Sequence, residues 1–404
     1  MEYIRKQFTT LKERILEPRK FMQVVAGPRQ VGKSTLVGQV LEQVSISYVT
    51  EVADGVDPKD NDWIHRVWES ARATMMIRRV EEFLLVIDEV QKIENWSEIV
   101  KREWDADTRN HVNLKVVLLG SSRLLLKKGL TESLAGRYEL IRMPHWSLQE
   151  MRDAFGVTLD EYIYFGGYPG PAHLIKNERR WRKYIKDSLV APAIEKDVIM
   201  TSKIYKPALM KQLFELGCNY SAEILSLTKL MGQLQDAGNV TTLAGYLEIL
   251  DECALLTALQ KYANDEARKR GSLPKYQVYN NALLTAYRGR SFVADRTDTK
   301  AWGRWVESAV GAHLLSMADE LGYKVFYWRE PSRNKDENDK EVDFIIVNGS
   351  EVTAIEVKSG RRGMNTGLPT FVEAFKPKRS FVVGTGGVSL EDFLGSDIET
   401  LLDI

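Results

Sequence analysis

Residues 27–35 read Gly-Pro-Arg-Gln-Val-Gly-Lys-Ser-Thr, and this stretch decides the fold of the N-terminal part of the chain. It matches the phosphate-loop pattern G-x-x-x-x-G-K-[ST] in full. The pattern needs glycines because backbone N–H groups must curl around phosphate oxygens, and the helix that follows adds its positive N-terminal end. An apolar stretch (21–26) precedes the loop and a helical pattern (33–44) follows it, as a strand–loop–helix unit requires. We therefore expect ATP to bind here. The predicted nucleotide-binding residues are Gly27, Pro28, Arg29, Gln30, Val31, Gly32, Lys33, Ser34 and Thr35.

An acid pair completes the predicted nucleotide site. Residues 83–89 read Phe-Leu-Leu-Val-Ile-Asp-Glu, an apolar run that ends in Asp88 and Glu89. A carboxylate at the tip of a buried strand beside a phosphate loop can hold the water shell of Mg²⁺, and the loop hydroxyl of Ser34 is the second predicted Mg²⁺ ligand. Lys33 is expected to reach the β- and γ-phosphates, and Glu89 to polarise the attacking water. The pattern thus predicts an ATPase with ATP and Mg²⁺ as its cofactors.

Strands and helices alternate through the first part of the chain. The predicted segments are a helix at 63–82, a strand at 83–87, a helix at 96–109 and a strand at 114–119. Continuous apolar strands separated by helical patterns are typical of a parallel sheet with crossover helices. The N-terminal part is therefore expected to be an α/β domain.

The rest of the chain is predicted to contain a helical part and then a mixed α/β part. Residues 145–200 read as helical, with a break at 166–170. Three helical patterns follow at 207–216, 221–225 (with Ser221 as N-cap) and 242–256, and then a loop or wing at 264–272. The final segments are a helix at 301–320, a strand at 324–328, a loop at 333–340, strands at 342–347 and 353–357 joined by a turn at Asn348-Gly349, a helix at 370–375 and a strand at 380–383.

Acidic side chains and a lysine lie on the predicted strand pair near the C-terminus. Glu356 and Lys358 are two residues apart and point to one face of a strand, while Val357 is expected to enter the core. Asp343 can lie beside them across the hairpin, and Glu307 on the preceding helix can add a further acid. Two carboxylates and a lysine arranged in this way suit a divalent-metal site. An exposed strand face with the same residues is the alternative.

Composition excludes several other classes of protein. The chain has 404 residues with 56 Lys plus Arg and 56 Asp plus Glu, so a wholesale polyanion binder is not expected, although a local basic patch is compatible with this balance. Its two cysteines, Cys218 and Cys253, have no metal-binding spacing and are expected to be buried thiols. With no membrane-length apolar segment and no signal-peptide pattern, we expect a cytoplasmic protein without a membrane partner.

Two further motifs resemble the AAA+ class of P-loop ATPases. Residues 116–122 read Val-Val-Leu-Leu-Gly-Ser-Ser, and in that class a polar residue at the position of Ser121 senses the γ-phosphate between the two motif strands. Residues 133–137 read Ser-Leu-Ala-Gly-Arg, which matches a signature of one bacterial and archaeal AAA-like family. Arg137 is either a nucleotide residue, acting in its own subunit or a neighbouring one, or a surface arginine that pairs with Glu132 or Glu139.

The chain as a whole resembles prokaryotic ATPases that join an AAA-type domain to a C-terminal DUF4143 domain. The motifs that carry the resemblance are GPRQVGKST, LLVIDEVQ, LLGSS, SLAGR, FGGYPG, PKYQVYNNAL, EVDFII and IEVKSG. Two segments depart from the family: 144–148 reads Pro-His-Trp-Ser-Leu where Pro-Leu-Ser-Phe is usual, and 279–283 lacks the usual aspartate and glycine. These departures do not touch the nucleotide site.

This resemblance implies an α/β fold with four parts. They are an AAA-type P-loop core with a parallel sheet (1–143), a helical lid (144–200), a winged-helix-like domain (201–272) and a smaller nuclease-like domain (273–404). The set Glu307, Asp343, Glu356 and Lys358 resembles the PD-(D/E)XK nuclease fold. Lysines near the middle part can contact nucleic-acid phosphates; they are Lys203, Lys206, Lys211 and Lys229.

Two functions are compatible with these features. The first is Mg²⁺-dependent ATP hydrolysis coupled to DNA binding or processing through the C-terminal domain. The second is an ATP-driven switch that acts on a protein partner, with an inactive nuclease-like domain. A small-molecule kinase is disfavoured, because such kinases rarely combine an acid pair like Asp88-Glu89 with two further domains. A homo-oligomer is compatible with the sequence, since an AAA-type site often needs an arginine from a neighbour.

Overall fold

The computed structural model describes residues 3–120, 133–195, 204–235, 238–263, 272–332, 339–360, 367–396 and 400, without the side chains of residues 319 and 320. The chain divides into two compact units, Met1–Met143 and Pro144–Ile404. The boundaries of the four predicted parts remain predictions.

The N-terminal unit is built on a five-stranded parallel sheet. Its strands are β1 (Met22–Ala26), β2 (Tyr48–Val52), β3 (Phe83–Asp88), β4 (Leu114–Gly120) and β5 (Tyr138–Arg142). Its helices are α1 (Gln7–Leu16), α2 (Lys33–Leu41), α3 (Trp63–Arg78) and α4 (Trp96–Arg109). The strands lie in the order β2-β3-β4-β1-β5, and every neighbouring pair is parallel. The predicted α/β fold with a parallel sheet is confirmed.

Burial explains which of these strands the sequence predicted. The residues of β1 and β4 are buried throughout, and so are those of β3 as far as Ile87, because helices cover both faces of the sheet. One face of helix α4 is apolar and packs against this core. Its buried residues follow helical spacing and include Trp96, Ile99, Val100 and Trp104. The edge strand β2 was missed, because its five residues mix polar and apolar side chains and none is buried. Strand β5, at the other edge, was missed for a similar reason.

The C-terminal unit contains eleven helices and seven strands among its described residues. Its helices are α5 (Leu148–Phe155), α6 (Leu159–Phe165), α7 (Glu178–Lys183), α8 (Pro207–Asn219), α9 (Leu227–Met231), α10 (Val240–Glu252), α11 (Asn281–Tyr287), α12 (Phe292–Thr297), α13 (Thr299–Leu321), α14 (Gly367–Phe375) and α15 (Leu390–Gly395). Its strands are β6 (Glu223–Ile224), β7 (Leu256–Leu259), β8 (Lys275–Val278), β9 (Lys324–Glu330), β10 (Lys340–Asn348), β11 (Glu351–Lys358) and β12 (Arg379–Gly384). A π-helical stretch, Tyr184–Val190, follows α7.

These strands form two sheets. A small antiparallel sheet has the order β6-β8-β7, so β8 lies in its centre. A four-stranded mixed sheet has the order β12-β11-β10-β9, in which β9, β10 and β11 are antiparallel and β12 runs parallel to β11. An apolar cluster that includes Trp328, Ile345 and Phe371 packs on this sheet. Asp343 and Glu356 therefore lie on adjacent strands.

Three local predictions for the C-terminal unit were wrong. Ser221 does not begin a helix: it is buried and its hydroxyl pairs with Ser308 at 2.7 Å, whereas Ser226 caps α9. The hairpin turn lies one residue later than predicted, because Asn348 pairs with Glu351 and leaves two residues between them. On β11, Glu356 is buried and Val357 is only half-buried, so the carboxylate and not the valine enters the interior.

Two predicted loops fall mostly outside the described residues, since 264–271 and 333–338 are not among them. Of the two cysteines, Cys218 is buried as predicted and Cys253 is half-buried. Within the described part of the chain, no helix combines the length and the apolar character needed to cross a membrane.

Candidate functional site

The phosphate-loop segment connects β1 to α2 at the carboxyl end of the sheet. At Gly27 a Cβ atom would lie only 2.2 Å from the carbonyl oxygen of Met143, so no larger residue fits without movement of the backbone. Gly32 stands directly before the first helical residue. Its φ of 92° is a conformation that residues with a side chain rarely adopt. Both glycines of the motif are therefore required by the backbone, and the loop opens onto the N-terminus of α2.

Lys33 and Ser34, the first residues of α2, place their polar atoms at this loop. The Lys33 ammonium donates to the carbonyl oxygens of Gly27 at 3.0 Å and Pro28 at 2.8 Å. The Ser34 hydroxyl donates to Oδ2 of Asp88 at 2.6 Å, which joins the loop to the end of β3. The structure thus brings the loop lysine, the loop hydroxyl and the first acid of the predicted pair together.

Glu89 directly follows β3 and has a left-handed backbone conformation with φ of 54°. Its backbone N–H donates to Oδ1 of Asp88 at 2.8 Å. Its carboxylate accepts a hydrogen bond from Nε2 of Gln91, a buried side chain two residues further on. The two carboxylates therefore have different partners, because Asp88 is bonded to Ser34 and Glu89 to Gln91.

A buried arginine near the N-terminus donates a hydrogen bond to the backbone of the phosphate loop. Nη1 of Arg5 donates to the carbonyl oxygen of Val31 at 3.2 Å, and both residues are buried. The sequence analysis did not select Arg5, because it lies outside every motif. Its contact with Val31 joins residues 26 positions apart, and nothing in the sequence around Arg5 marks it.

Arg137 lies at the amino ends of the parallel strands, whereas the phosphate loop of the same chain lies at their carboxyl ends. Its carbonyl accepts the N–H of Met22, the first residue of β1, whereas the loop follows the last residue of that strand. Four residue steps of strand, roughly 13 Å, separate the two ends. The guanidinium forms a two-bond pair with Asp105 on α4, at 2.8 and 3.0 Å. This pair raises the pKa of Arg137 and lowers that of Asp105.

Of the two predicted partners of Arg137, Glu139 does not match this arrangement. Glu139 instead accepts a hydrogen bond from Gln23 at 3.0 Å and lies near Arg14. Glu132 lies outside the described residues, and so does Ser121. The strand that leads to Ser121, β4, does lie between β1 and β3, as the resemblance implied.

A second constellation lies in the C-terminal unit. Carboxylate oxygens of Glu307, Glu341 and Asp343 lie within 4.8 Å of one another, and we call these three residues the carboxylate cluster. Glu307 comes from α13, and the other two come from β10. Of the predicted set, the structure joins Glu307 and Asp343 and adds Glu341. Asp343 also accepts the backbone N–H of Val357 on β11 at 2.7 Å.

The cluster contains a lysine that the sequence analysis did not select. Nζ of Lys275, on β8, lies 2.5 Å from Glu307, 3.1 Å from Glu341 and 3.5 Å from Asp343. The Lys275 side chain is fully buried. The predicted lysine, Lys358, pairs with Glu356 at 3.5 Å.

Burial and charge shift the protonation of this group. Burial raises the pKa of Glu307, which settles at about 8 although Lys275 lowers it. Burial raises the pKa of Asp343 above its usual range in the same way. For Lys275 burial acts in the lowering direction, but the three carboxylates raise its pKa above the usual lysine value.

The two sites differ in their fit to a metal ion. At the phosphate loop, oxygens of Ser34 and Asp88 lie side by side, which suits the oxygen-ligand preference of Mg²⁺. In the carboxylate cluster the ammonium of Lys275 contacts every acid that would serve as a ligand. The residues of the cluster, as they stand, do not fit a divalent ion.

Family profiles match three consecutive segments of the chain. Residues 19–152 match the AAA domain, residues 157–293 match a domain of unknown function (DUF8612), and residues 302–396 match a second one (DUF4143). The loop, the acid pair and Arg137 lie in the first segment, Lys275 lies in the second, and the carboxylate cluster lies in the third.

Similar proteins extend these matches along the chain. An uncharacterized protein of Haemophilus influenzae is 22% identical over 357 residues, which cover 83% of this chain and 82% of that protein. An uncharacterized protein of Methanocaldococcus jannaschii is 22% identical over 267 residues, 61% of this chain and 58% of its own length. Among solved structures, a Walker-type ATPase of Pyrococcus abyssi superposes with a TM-score of 0.51 at 14% identity, covering 71% of this chain and 96% of the other. That likeness concerns the fold.

Proposed function

For a chain that carries an AAA ATPase domain followed by a DUF4143 domain, we propose Mg²⁺-dependent ATP hydrolysis coupled to nucleic-acid binding or processing through the C-terminal domain. The AAA domain assigns ATP binding and hydrolysis to the N-terminal part. The observation that carries the Mg²⁺ proposal is the 2.6 Å contact between the Ser34 hydroxyl and Asp88, which supports these two residues as Mg²⁺ ligands at the phosphate loop.

Each residue of the loop has a defined task in this proposal. Backbone N–H groups of 29–35, which include the N-terminus of α2, bind the phosphates, and Lys33 exchanges its bonds to Gly27 and Pro28 for phosphate oxygens. Ser34 and Asp88 hold Mg²⁺, which neutralises charge that develops on the phosphates. These side chains orient ATP and its counter-charge before reaction.

Glu89 is the proposed general base for the attacking water. A base must have a free lone pair and a fixed direction, and the hydrogen bond from Gln91 fixes this carboxylate. Arg137 lies at the end of the sheet opposite its own phosphate loop. We therefore propose that any contact it makes with nucleotide is to the site of a neighbouring copy in a homo-oligomer. Its present partner, Asp105, would then have to release it.

Element order and basic side chains support nucleic acid as the first candidate partner. Helices α8, α9 and α10 precede the antiparallel strands β7 and β8, an order compatible with the winged-helix-like domain that the resemblance implies. Lys206 directly precedes α8 and Lys229 lies within α9, and both can contact phosphates. Of the remaining predicted lysines, Lys211 pairs with Glu195 at 2.7 Å, and Lys203 lies outside the described residues.

Two observations favour the second candidate, an ATP-driven switch that acts on a protein partner. Helix α10 contains no lysine or arginine and carries three acids, Glu248, Asp251 and Glu252. Such a helix repels a phosphate backbone. In addition, Lys275 occupies the carboxylate cluster, which does not suit a metal-dependent nuclease. Both observations are compatible with a binding platform that does not cut.

Steady-state ATP hydrolysis with and without DNA tests the coupling. It is measured on the wild type, on Glu356→Ala/Lys358→Ala, and on the matched control Glu351→Ala/Lys378→Ala, which removes an exposed ion pair from the same sheet. Stimulation by DNA that only the first variant loses supports nucleic acid at the C-terminal domain. Hydrolysis that is indifferent to DNA in all three proteins contradicts that proposal and supports the switch.

A cleavage assay separates processing from binding. Nicking of DNA that requires Mg²⁺ or Mn²⁺ and disappears in Asp343→Ala would assign processing to the C-terminal domain. DNA binding without nicking would leave binding alone.

A further inference from the structure

Lys275 is a fully buried cation on the central strand of the small antiparallel sheet. It begins β8, the middle strand of β6-β8-β7, and all four residues of that strand are buried. Its ammonium lies within 3.5 Å of all three acids of the carboxylate cluster and also approaches the backbone carbonyl of Asp343 at 3.4 Å. An ammonium has three N–H donors, so three carboxylates can satisfy it fully.

The energetics of burial make these contacts necessary. A buried ammonium without partners is strongly destabilising, and paired carboxylates offset that cost. The acids need the lysine equally, because three carboxylates this close repel one another without a cation between them. Each side of the arrangement therefore holds the other in place.

The position of the ammonium excludes a second cation. A divalent ion bound by the same oxygens would lie roughly 2.0–2.6 Å from each of them. Nζ of Lys275 already lies 2.5–3.5 Å from these acids, so the ion and the ammonium would occupy nearly the same space. Lysine cannot swing out to make room, because its side chain is fully buried and its backbone is paired on both sides by β6 and β7.

The lysine and the acids come from different parts of the chain. Lys275 belongs to the DUF8612 segment, and the carboxylate cluster belongs to the DUF4143 segment. We propose that Lys275 is the resident cation of the carboxylate cluster, and that the cluster is an ion-pair joint between these two segments and not a divalent-metal site. This inference goes beyond the proposed function, because it holds whether the partner is nucleic acid or protein. It implies a C-terminal domain that binds its partner without metal-dependent cleavage.

Mn²⁺ binding to the full nucleotide-free chain tests this proposal. Bound Mn²⁺ is counted by electron paramagnetic resonance on the wild type, Asp343→Asn, Lys275→Met and Lys275→Met/Asp343→Asn. Methionine is one atom shorter than lysine, so it removes the charge and leaves the position of Nζ open for an ion. We expect the wild type and Asp343→Asn to bind the same number of Mn²⁺ ions, because the cluster of the wild type holds none. We expect Lys275→Met to gain one equivalent, which the double variant loses.

Thermal stability supplies a second measurement, and Lys358→Met supplies the matched control. With Mn²⁺ at about ten times its dissociation constant, the melting temperature of Lys275→Met should rise by about 3–6 °C, and that of the wild type should not change. Lys358→Met removes a half-buried lysine of the mixed sheet that pairs with Glu356, and it should gain no ion. An ion bound in the cluster depends on Asp343, whereas an ion bound at the phosphate loop does not, so the Asp343→Asn variants distinguish the two.

Two results would overturn the proposal. One is a Mn²⁺ ion in the wild type that Asp343→Asn removes, which would show that the cluster holds a metal despite Lys275. The other is a folded Lys275→Met protein that binds no ion, which would show that the lysine does not stand in an ion's position. If Lys275→Met does not fold, the comparison of the wild type with Asp343→Asn still decides. None of these measurements uses DNA or ATP, so their outcome is independent of the coupling experiment.

Discussion

Replacement of Gly27 by alanine should impair ATP hydrolysis by moving the phosphate loop. The added Cβ would lie 2.2 Å from the carbonyl oxygen of Met143, whereas such contacts are essentially never shorter than 3.0 Å. The obstacle is backbone and cannot rotate away, and Met143 is itself fixed by a 2.8 Å hydrogen bond to Ala26. The loop must therefore move by at least about 0.8 Å, and a misplacement on the order of 1 Å at a reactive group costs about 100-fold in rate.

Phosphate-release kinetics measure this effect. We expect kcat/KM for ATP to fall by about two orders of magnitude in Gly27→Ala, because the carbonyl of Gly27 also holds the Lys33 ammonium. Gly38→Ala is the matched control: Gly38 lies within α2, and a Cβ there meets no atom within 4 Å. It should keep wild-type kinetics and gain up to about 1 kcal/mol of stability. Wild-type kcat/KM in Gly27→Ala would refute the steric argument.

Three further predictions concern binding, stability and pH. Lys33→Ala should abolish nucleotide binding, because it removes the cation that faces the phosphates; unchanged affinity for a fluorescent ATP analogue would contradict its role. Asp107→Ala should lower the free energy of unfolding by about 3–5 kcal/mol, since Trp68 and Arg72 each lose a 2.7 Å buried partner; a loss below about 1 kcal/mol in urea unfolding would show that they find another. Burial raises the pKa of Asp295, so the folded state keeps this proton at pH values where the unfolded chain, with an ordinary pKa near 3.8, has released it. Stability should therefore decline as pH rises from that value through the folded pKa, and Asp295→Asn should remove this part of the decline; identical slopes of stability against pH in both proteins would contradict the assignment.

The nucleotide site could be predicted closely, because its residues are adjacent in sequence or end a continuous apolar strand. Lys33 and Ser34 follow from the loop motif, and Asp88 follows from the buried run that precedes it. Parallel strands bring their carboxyl ends to one edge of a sheet, so β1 and β3 had to place these residues together. The edge strand β2 gave no comparable signal, because its side chains alternate between partial and full exposure.

Contacts between distant segments could not be predicted. Arg137 was expected either to contact nucleotide or to pair with Glu132 or Glu139, but its partner Asp105 lies 32 residues away on α4. Lys275 meets Glu341 and Asp343 across 66 and 68 residues, and nothing in the pattern around it marks a buried cation. Val357 was expected to enter the core and Glu356 to face either a metal site or solvent, yet the sheet buries Glu356 and leaves Val357 half-buried. Each of these outcomes depends on tertiary packing and not on local sequence.

The most direct test of the central claim is Mg²⁺-dependent ATP turnover by the wild type and Glu89→Gln. Glutamine keeps the shape of the side chain and the position near Gln91, but it cannot accept a proton from water. We expect the wild type to release phosphate only with Mg²⁺, and the variant to bind ATP with wild-type affinity but to turn over at least about 100-fold more slowly. Turnover by Glu89→Gln at the wild-type rate would contradict the assignment of Glu89 as the base.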